Sequence, residues 1–420
     1  MDVPDNAEDF FKATFDAASC NQCGVCFSKC PVVELPESTA KQEISNIIDN
    51  QASNSVLGNC TSCMACKLYC PQGSDPHALI TQRWRERYAK NGLPVSLELT
   101  LPYQFPTVYT KAIDAYPVRL RTLVASWNHL PQGGGTALFA GCNMIMQPYL
   151  LDSKLFDGID IFGSGNICCG EPLFRMGLWD VEKQVARHVH QLFSTINADE
   201  IIVPCIACYY MLTVVYPKLF DATIDAKFTP LLDWLHARIE SGEFTFTNPF
   251  IDTAVTVHDN CWPKIGGDHF FSIARAIIKA TGCDVIEMSH TRENARCCGM
   301  GGVIAANSVM HGLKSGIARL DEARSTGADF LVDYCGGCNW FLGTSKSMSI
   351  KRLPDVYHVL QLVQHATGER MLNDDNKRVV KKIMNATLRY LVPRTLSRKR
   401  FWYGTIGNLA EKSNLYKRPT

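Results

Sequence analysis

Two cysteine runs near the start of the chain restrict its possible folds more than any other feature. They are Cys20-x2-Cys23-x2-Cys26-x3-Cys30-Pro31 and Cys60-x2-Cys63-x2-Cys66-x3-Cys70-Pro71. Three thiolates at two-residue intervals reach three corners of one cube from a single turn of chain. The proline ends that turn and sends the fourth cysteine across to the other run's cube. The spacing therefore assigns one cubane [4Fe–4S] cluster to Cys20, Cys23, Cys26 and Cys70. It assigns a second to Cys60, Cys63, Cys66 and Cys30. Structural zinc or disulfides would not need two identical runs with a trailing proline. A chain built this way moves electrons.

The chain has 420 residues, enough for several domains. Its net charge of +1 gives no global pull toward nucleic acid, which is excluded as a partner. Nineteen cysteines are too many for a reducing compartment unless most bind metal. Met1 to Phe15 shows neither a basic n-region nor an apolar h-region, so a reducing, cytoplasmic location is expected. No stretch approaches the ~18–20 apolar residues of a membrane span, so any membrane association is expected to be peripheral.

Ten of the other eleven cysteines fall into two matching sets. Cys142, Cys168-Cys169-Gly170 and Cys205-x2-Cys208 form the first; Cys261, Cys297-Cys298-Gly299 and Cys335-x2-Cys338 form the second. Flanking residues repeat as well: Ala198-Asp199-Glu200-Ile201 precedes Cys205 as Ala328-Asp329-Phe330-Leu331 precedes Cys335. This is a duplicated domain. Short apolar runs (136–140, 201–203, 254–257, 330–332) alternate with helical patterns such as Val181–Ser194 and Phe270–Ala280. That alternation predicts parallel α/β sheets, with the cysteines at the carboxyl ends of strands, where ligands gather. Cys283 stands outside both sets and reads as a buried, inert thiol.

In the N-terminal part, Asp9–Ala18, Thr39–Gln51 and His77–Asn91 are helix-compatible, predicting a helical ferredoxin module. Pro102, Pro106 and Pro117 punctuate an aromatic-rich connector, and the Gly133-Gly134-Gly135 loop reads as a flexible turn. The expected architecture is α+β and multidomain. It comprises a helical two-cluster module at 1–95, a connector at 96–130, duplicated α/β domains at 131–250 and 251–370, and a basic tail at 371–420.

With these motifs assembled, the chain resembles the heterodisulfide reductase D-type proteins and other CCG-domain iron–sulfur oxidoreductases. That group includes the iron–sulfur subunits of anaerobic glycerol-3-phosphate dehydrogenase and of glycolate oxidase. The most specific stretches are Val257-His258-Asp259-Asn260-Cys261 and Arg292-Glu293-Asn294-Ala295-Arg296-Cys297-Cys298-Gly299-Met300-Gly301-Gly302. Asn260 and Trp262 replace the family's usual proline and histidine, and Gly336-Gly337 stands where Pro-Gly is commoner. The resemblance implies a non-cubane [4Fe–4S] cluster on Cys142, Cys168, Cys169, Cys205 and Cys208. It implies another, the catalytic one, on Cys261, Cys297, Cys298, Cys335 and Cys338. Only 25 residues separate Cys142 from Cys168, short for the family, so one or two such clusters are expected. Adjacent cysteines strain an ordinary cube, which favours an opened geometry. Glycines 170, 299, 301 and 302 are expected to let backbone amides reach the sulfurs. His258 and His290 flank the second set as candidate proton sources.

From Lys377 onward there are twelve Lys/Arg and one acidic residue, Glu411, with an apolar stripe of Val379, Val380, Ile383, Leu388, Leu391 and Val392. Arg398-Lys399-Arg400 then runs into Phe401-Trp402-Tyr403, a pattern suited to an anionic membrane surface. The expected role is the iron–sulfur subunit of a membrane-linked oxidoreductase in anaerobic respiration, peripheral on the inner face of the cell membrane. Electrons would pass through the cubane pair to the CCG clusters, which exchange them with a disulfide or thiol substrate. The expected partner is a membrane cytochrome b or another quinone-reactive subunit. The alternative is a pure relay between a flavin dehydrogenase subunit (glycerol-3-phosphate, glycolate or lactate type) and menaquinone. The chain lacks a Gly-x-Gly-x2-Gly fingerprint, so flavin or nicotinamide would come from elsewhere.

Overall fold

The computed structural model describes residues 11–401, except 13, 104–106, 166, 306–307, 371, 373–377, 379, 383, 386–392 and 395. The N-terminal module is helical where it is regular: α1 (Val25–Ser28), α2 (Glu37–Ile48), α3 (Ala65–Tyr69) and α4 (Pro76–Asn91). Helix α4 starts on Pro76, and the Asp75 side chain accepts from the Ala78 amide. Its Trp84, fully buried, donates from Nε1 to Leu57 O at 2.9 Å and so ties the helix to the second cysteine run. The helix expected over Asp9–Ala18 is absent from its described residues. There the Asp16 carboxylate accepts from the Ala18 and Ser19 amides, a local turn that competes with helix.

The connector follows with the short strand β1 (Leu93–Pro94) and helices α5 (Val108–Ala115) and α6 (Val118–Ser126). Its tyrosines are structural. Tyr116 Oη donates to Ile145 O at 3.0 Å, and Tyr103 Oη donates to Cys168 O at 2.8 Å.

Two four-stranded parallel sheets form the body, with the same strand order in each. The first contains β2 (Thr136–Phe139), β3 (Asp160–Phe162), β4 (Glu200–Val203) and β5 (Phe228–Pro230), ordered β3-β2-β4-β5. The second contains β6 (Thr253–His258), β7 (Cys283–Val285), β8 (Phe330–Asp333) and β9 (Asp355–His358), ordered β7-β6-β8-β9. Register is Thr136 with Glu200 in the first sheet and Val255 with Phe330 in the second. In each copy the chain steps out from the first strand on one side and returns on the other. The switch point therefore lies between β2 and β4, and between β6 and β8, where a crevice opens at the carboxyl ends. Cys142 and Cys205 follow β2 and β4; Cys261 and Cys335 follow β6 and β8. The topology alone gathers each set.

The helices of the first copy include α7 (Gly141–Ile145), α8 (Glu171–Arg175), α9 (Trp179–Phe193) and α10 (Ile206–Tyr210), the last continuing as a wider π-helical stretch over Met211–Phe220 that ends past Pro217. Those of the second include α11 (His269–Ala280), α12 (Met300–Ala305), α13 (Val309–Ser325) and α14 (Gly336–Ser347). Helices α9 and α11 are amphipathic, burying Val181, Val185 and Val189 in one and Phe270, Ala274 and Ile277 in the other. Near the end of the chain, Arg400 and Phe401 form a two-residue strand, antiparallel to β1.

Candidate metal centres

In each N-terminal run the same two positions after the first cysteine turn left-handed: Gln22 (φ 57°) and Gly24 (φ 75°), then Ser62 (φ 56°) and Met64 (φ 63°). Left-handed backbone is uncommon away from glycine, and its recurrence marks a turn imposed on the chain rather than a local preference. At Gly24 a Cβ would lie 2.6 Å from the Lys41 amide nitrogen, so that turn also packs against α2. The fourth cysteines cross over. Cys30 lines one cavity with Cys60, Cys63 and Cys66. Cys70 lies near enough to Cys20 and Cys26 to raise both thiol pKa values.

The donor chemistry of both groups suits iron. Burial, then crowding by Cys70 and Cys20, pushes the Cys26 thiol up to about 12. Burial and Cys63 push Cys30 to about 11, and burial with Cys60, Cys26, Cys63 and Cys30 lifts Cys66 well above its ordinary value. Thiols packed this closely resist ionising in one another's company, and bound iron reverses that by supplying positive charge. The Ser62 and Ser74 amides donate to Cys60 Sγ (3.3 Å) and Cys70 Sγ (3.4 Å), as peptide groups around a cluster do.

The two five-cysteine sets meet. All ten cysteines line one cleft with a cavity of about 80 Å³, with Tyr109, Asn143, Glu171, Arg175, Trp262, Met300 and Ile304 among its other walls. Within the first set Cys169 Sγ and Cys208 Sγ are 3.1 Å apart, and within the second Cys298 Sγ and Cys338 Sγ are 3.4 Å apart. The Gly299 amide donates to Cys297 Sγ at 3.3 Å, as expected for a backbone donor. Gly301 has a different task. A Cβ there would sit 2.1 Å from Thr61 O, so this glycine lets the second copy close on the ferredoxin loop. Cys63 accordingly shares a buried cluster with Cys297 and Cys298. Buried Lys264, which donates to Ala295 O, also lies close enough to Cys30 to lower its pKa. The second cubane group thus abuts the second five-cysteine set.

The surroundings of the two sets differ. Around the first, tyrosines hold the backbone: Tyr103 accepts from the Cys168 amide at 3.2 Å and Tyr216 donates to Cys169 O at 2.9 Å. Glu182, buried against Gly170 without a hydrogen-bond partner among the described residues, is pushed well above the usual carboxylate range by burial, then by Glu171. Around the second lies a charged network. Asp259 accepts from both Nη atoms of Arg275 (2.9 Å each), from Tyr334 Oη (3.0 Å) and from the Arg292 amide (2.7 Å). Despite burial, these donors hold its carboxyl below the usual range.

The structure separates the two flanking histidines. The His258 ring lies beside Cys298 and Cys338, with its ligand atom within 4.8 Å of both sulfurs. His290 instead pairs with Glu322 at 2.9 Å, is about a third exposed, and is not among the cleft residues. Sequence reasoning missed Glu171, Arg175 and Tyr109, and named Asp259 only as part of a motif, with no role. The available signal was position: Glu171 directly follows Cys168-Cys169-Gly170, and Arg175 lies one helical turn further on.

Comparison with known proteins matches these regions. A cysteine-rich domain family matches residues 136–213 and again 255–343, and a 4Fe-4S dicluster domain family matches residues 16–74. The D component of the dihydromethanophenazine:CoB–CoM heterodisulfide reductase of Methanosarcina barkeri is 24% identical, over 79% of this chain and 82% of that protein. The B component of the CoM/CoB fumarate reductase of Methanothermobacter marburgensis is 21% identical, over 86% and 74%. EtfAB:quinone oxidoreductase of Syntrophomonas wolfei is 21% identical, over 80% of this chain and 56% of that protein.

Proposed function

Taking the chain as what its domains make it, a CCG-domain iron–sulfur oxidoreductase that carries [4Fe–4S] clusters, we propose that it delivers electrons from its cubane pair to a disulfide bound between the two five-cysteine sets. One observation supports this above the others: both sets open onto a single cleft, and the ferredoxin cysteines do not. A pure relay needs only a file of centres within reach of one another. It does not need two five-thiol sets facing one common space. When bound, the clusters supply single electrons, and a disulfide requires two.

The chain's own residues prepare the space. Trp262 and Met300 make its walls apolar, and Trp262 Nε1 donates to Glu171 Oε1 at 2.8 Å. The Glu171–Arg175 ion pair is the charged patch on the wall. Tyr109, beside Cys142, keeps its proton because burial pushes its pKa well up. It can therefore offer a hydrogen bond to a thiolate in the cleft.

The proposed partner is a quinone-coupled membrane protein, reached through the basic tail. No helix among the described residues is long and apolar enough to cross a membrane. Lys381, Lys382, Arg398, Lys399 and Arg400 are exposed and Val380 is buried, in line with a basic outer face. Lys377, Val379, Ile383, Leu388, Leu391, Val392, Trp402 and Tyr403 lie outside the described residues. Changing Lys381, Lys382, Arg398 and Lys399 together to Gln should lower partition onto anionic vesicles by roughly a thousandfold. Each charge contributes on the order of 1 kcal/mol at such a surface. Sedimentation with anionic and with zwitterionic vesicles reads the effect. Equal sedimentation of variant and unmodified protein would place docking elsewhere on the chain.

A further inference from the structure

The two five-cysteine sets come from copies of one domain, yet the residues facing them are not equivalent. Aligned on its leading cysteine, the second copy has His258 where the first has Phe139. Aligned on the cysteine pair, the first copy has Glu171 and Arg175 where the second has Met300 and Ile304. All four of these last residues line the shared cleft. The copies face each other across it, so Arg175 of the first copy reaches a cysteine of the second.

Arg175 is buried and its guanidinium is divided among three parts of the molecule. Nε donates to Glu171 on its own helix, Nη1 to Ser62 O in the ferredoxin loop, and Nη2 to Cys261 Sγ at 3.3 Å. The plane also lies over Trp262, 5.8 Å from the ring centre. Among the described residues the first set receives no cation from the second copy, Ile304 having no donor; its own side-chain donors are neutral, Asn143 Nδ2 to Cys205 Sγ at 3.7 Å and Tyr109 beside Cys142.

His258 is fully buried at the end of β6. Arg319 Nε donates to its Nδ1 at 3.1 Å, so Nδ1 is the acceptor and Nε2 carries the hydrogen. Arg319 is fixed in turn by Glu322, His290 O and Val257 O. The Nε2–H has no hydrogen-bond partner among the described residues, and the ring lies within 4.8 Å of the Cys298 and Cys338 sulfurs. This tautomer leaves His258 with an unused N–H beside those sulfurs and no free lone pair for a metal. Phe139 can offer no N–H to the first set.

We propose that Arg175 and His258 are positioning residues that make the two CCG centres unequal, holding the centre of Cys261, Cys297, Cys298, Cys335 and Cys338 at the higher reduction potential. Donors and positive charge at a thiolate sulfur withdraw electron density and favour the reduced form. The favoured centre is also the one that packs against Cys63, so the first electron delivered rests beside the wire. The proposal rests on both sets holding iron.

Redox-poised EPR of the full-length, anaerobically purified protein tests it, with iron content measured on each sample. The signal lost in Cys298→Ser identifies the second centre. Its midpoint should move to lower potential in Arg175→Gln and in His258→Phe, toward that of the first centre, while the cubane midpoints stay in place. If Arg175→Gln loses iron, Glu171→Gln carries the test. Freed of its carboxylate partner, Arg175 should then raise the same midpoint. Midpoints unmoved in iron-replete variants would overturn the role of Arg175 and His258. Absence of a Cys298-dependent signal in the unmodified protein would instead overturn the reading of the site itself.

Discussion

Replacing Cys298 with Ser abolishes disulfide turnover while dye-driven reduction of the cubane pair continues at full extent. Cys298 lies 3.4 Å from Cys338, beside His258 and on the wall of the common cleft. Its thiol pKa is drawn well below the ordinary value by the hydrogen bonds with Cys297 and Cys338, then by His258. The eight ferredoxin cysteines are absent from the cleft walls, and their loops keep their own hydrogen bonds, such as the Ser62 amide to Cys60 Sγ. The loss should therefore fall on kcat, with the ferredoxin optical change on dithionite reduction preserved. Turnover at the unmodified rate would move the substrate away from the second set and favour the relay function.

Replacing Arg275 with Leu should destabilise the second copy by about 3–5 kcal/mol, because it leaves a buried carboxylate without its cation. Asp259 and Glu287 both pair with Arg275, whose side chain is almost fully buried. Asp259 stands two residues before Cys261, so the change loosens the strand end that presents the set's leading cysteine. The loss depends on pH in a defined direction. In the intact protein Asp259 is held below its ordinary range, so its contribution is complete above about pH 4 and fades as pH falls through the folded value. In the variant, burial raises the same carboxyl. The gap between the two proteins should thus be widest at neutral pH and narrow as pH falls toward 5. Anaerobic thermal melts at both pH values measure it. Equal melting temperatures at pH 7.5 would show that the ion pair carries no weight.

How much of this was legible in the sequence depended on how local the signal was. The N-terminal runs were readable because ligand spacing is a local pattern, and the crossing of Cys30 and Cys70 follows from the prolines. The duplicated sheets were readable through β2, β4, β6 and β8, whose apolar runs stand out. Strands β3, β5, β7 and β9 escaped notice because a polar residue or proline leaves each with no more than two consecutive apolar residues. Over the described residues of Asp9–Ala18 no helix forms, and the Asp16 side chain offers the backbone a turn instead. Facing of the two copies was illegible, since nothing local says that Arg175 will meet Cys261, 86 residues away in sequence. The Gly301 contact with Thr61 is of the same kind. A glycine's freedom is visible in sequence, but the backbone it must admit is not.

Iron counting is the most direct test of the central claim that both five-cysteine sets hold clusters alongside the cubane pair. Anaerobically purified protein should carry about sixteen iron atoms per chain, from four [4Fe–4S] clusters. Purification yields should be normalised to chain concentration by amino-acid analysis, with acid-labile sulfide measured on the same sample. About eight iron atoms with only cubane-type spectra would contradict the account, leaving the common cleft as a thiol-lined cavity without a redox role.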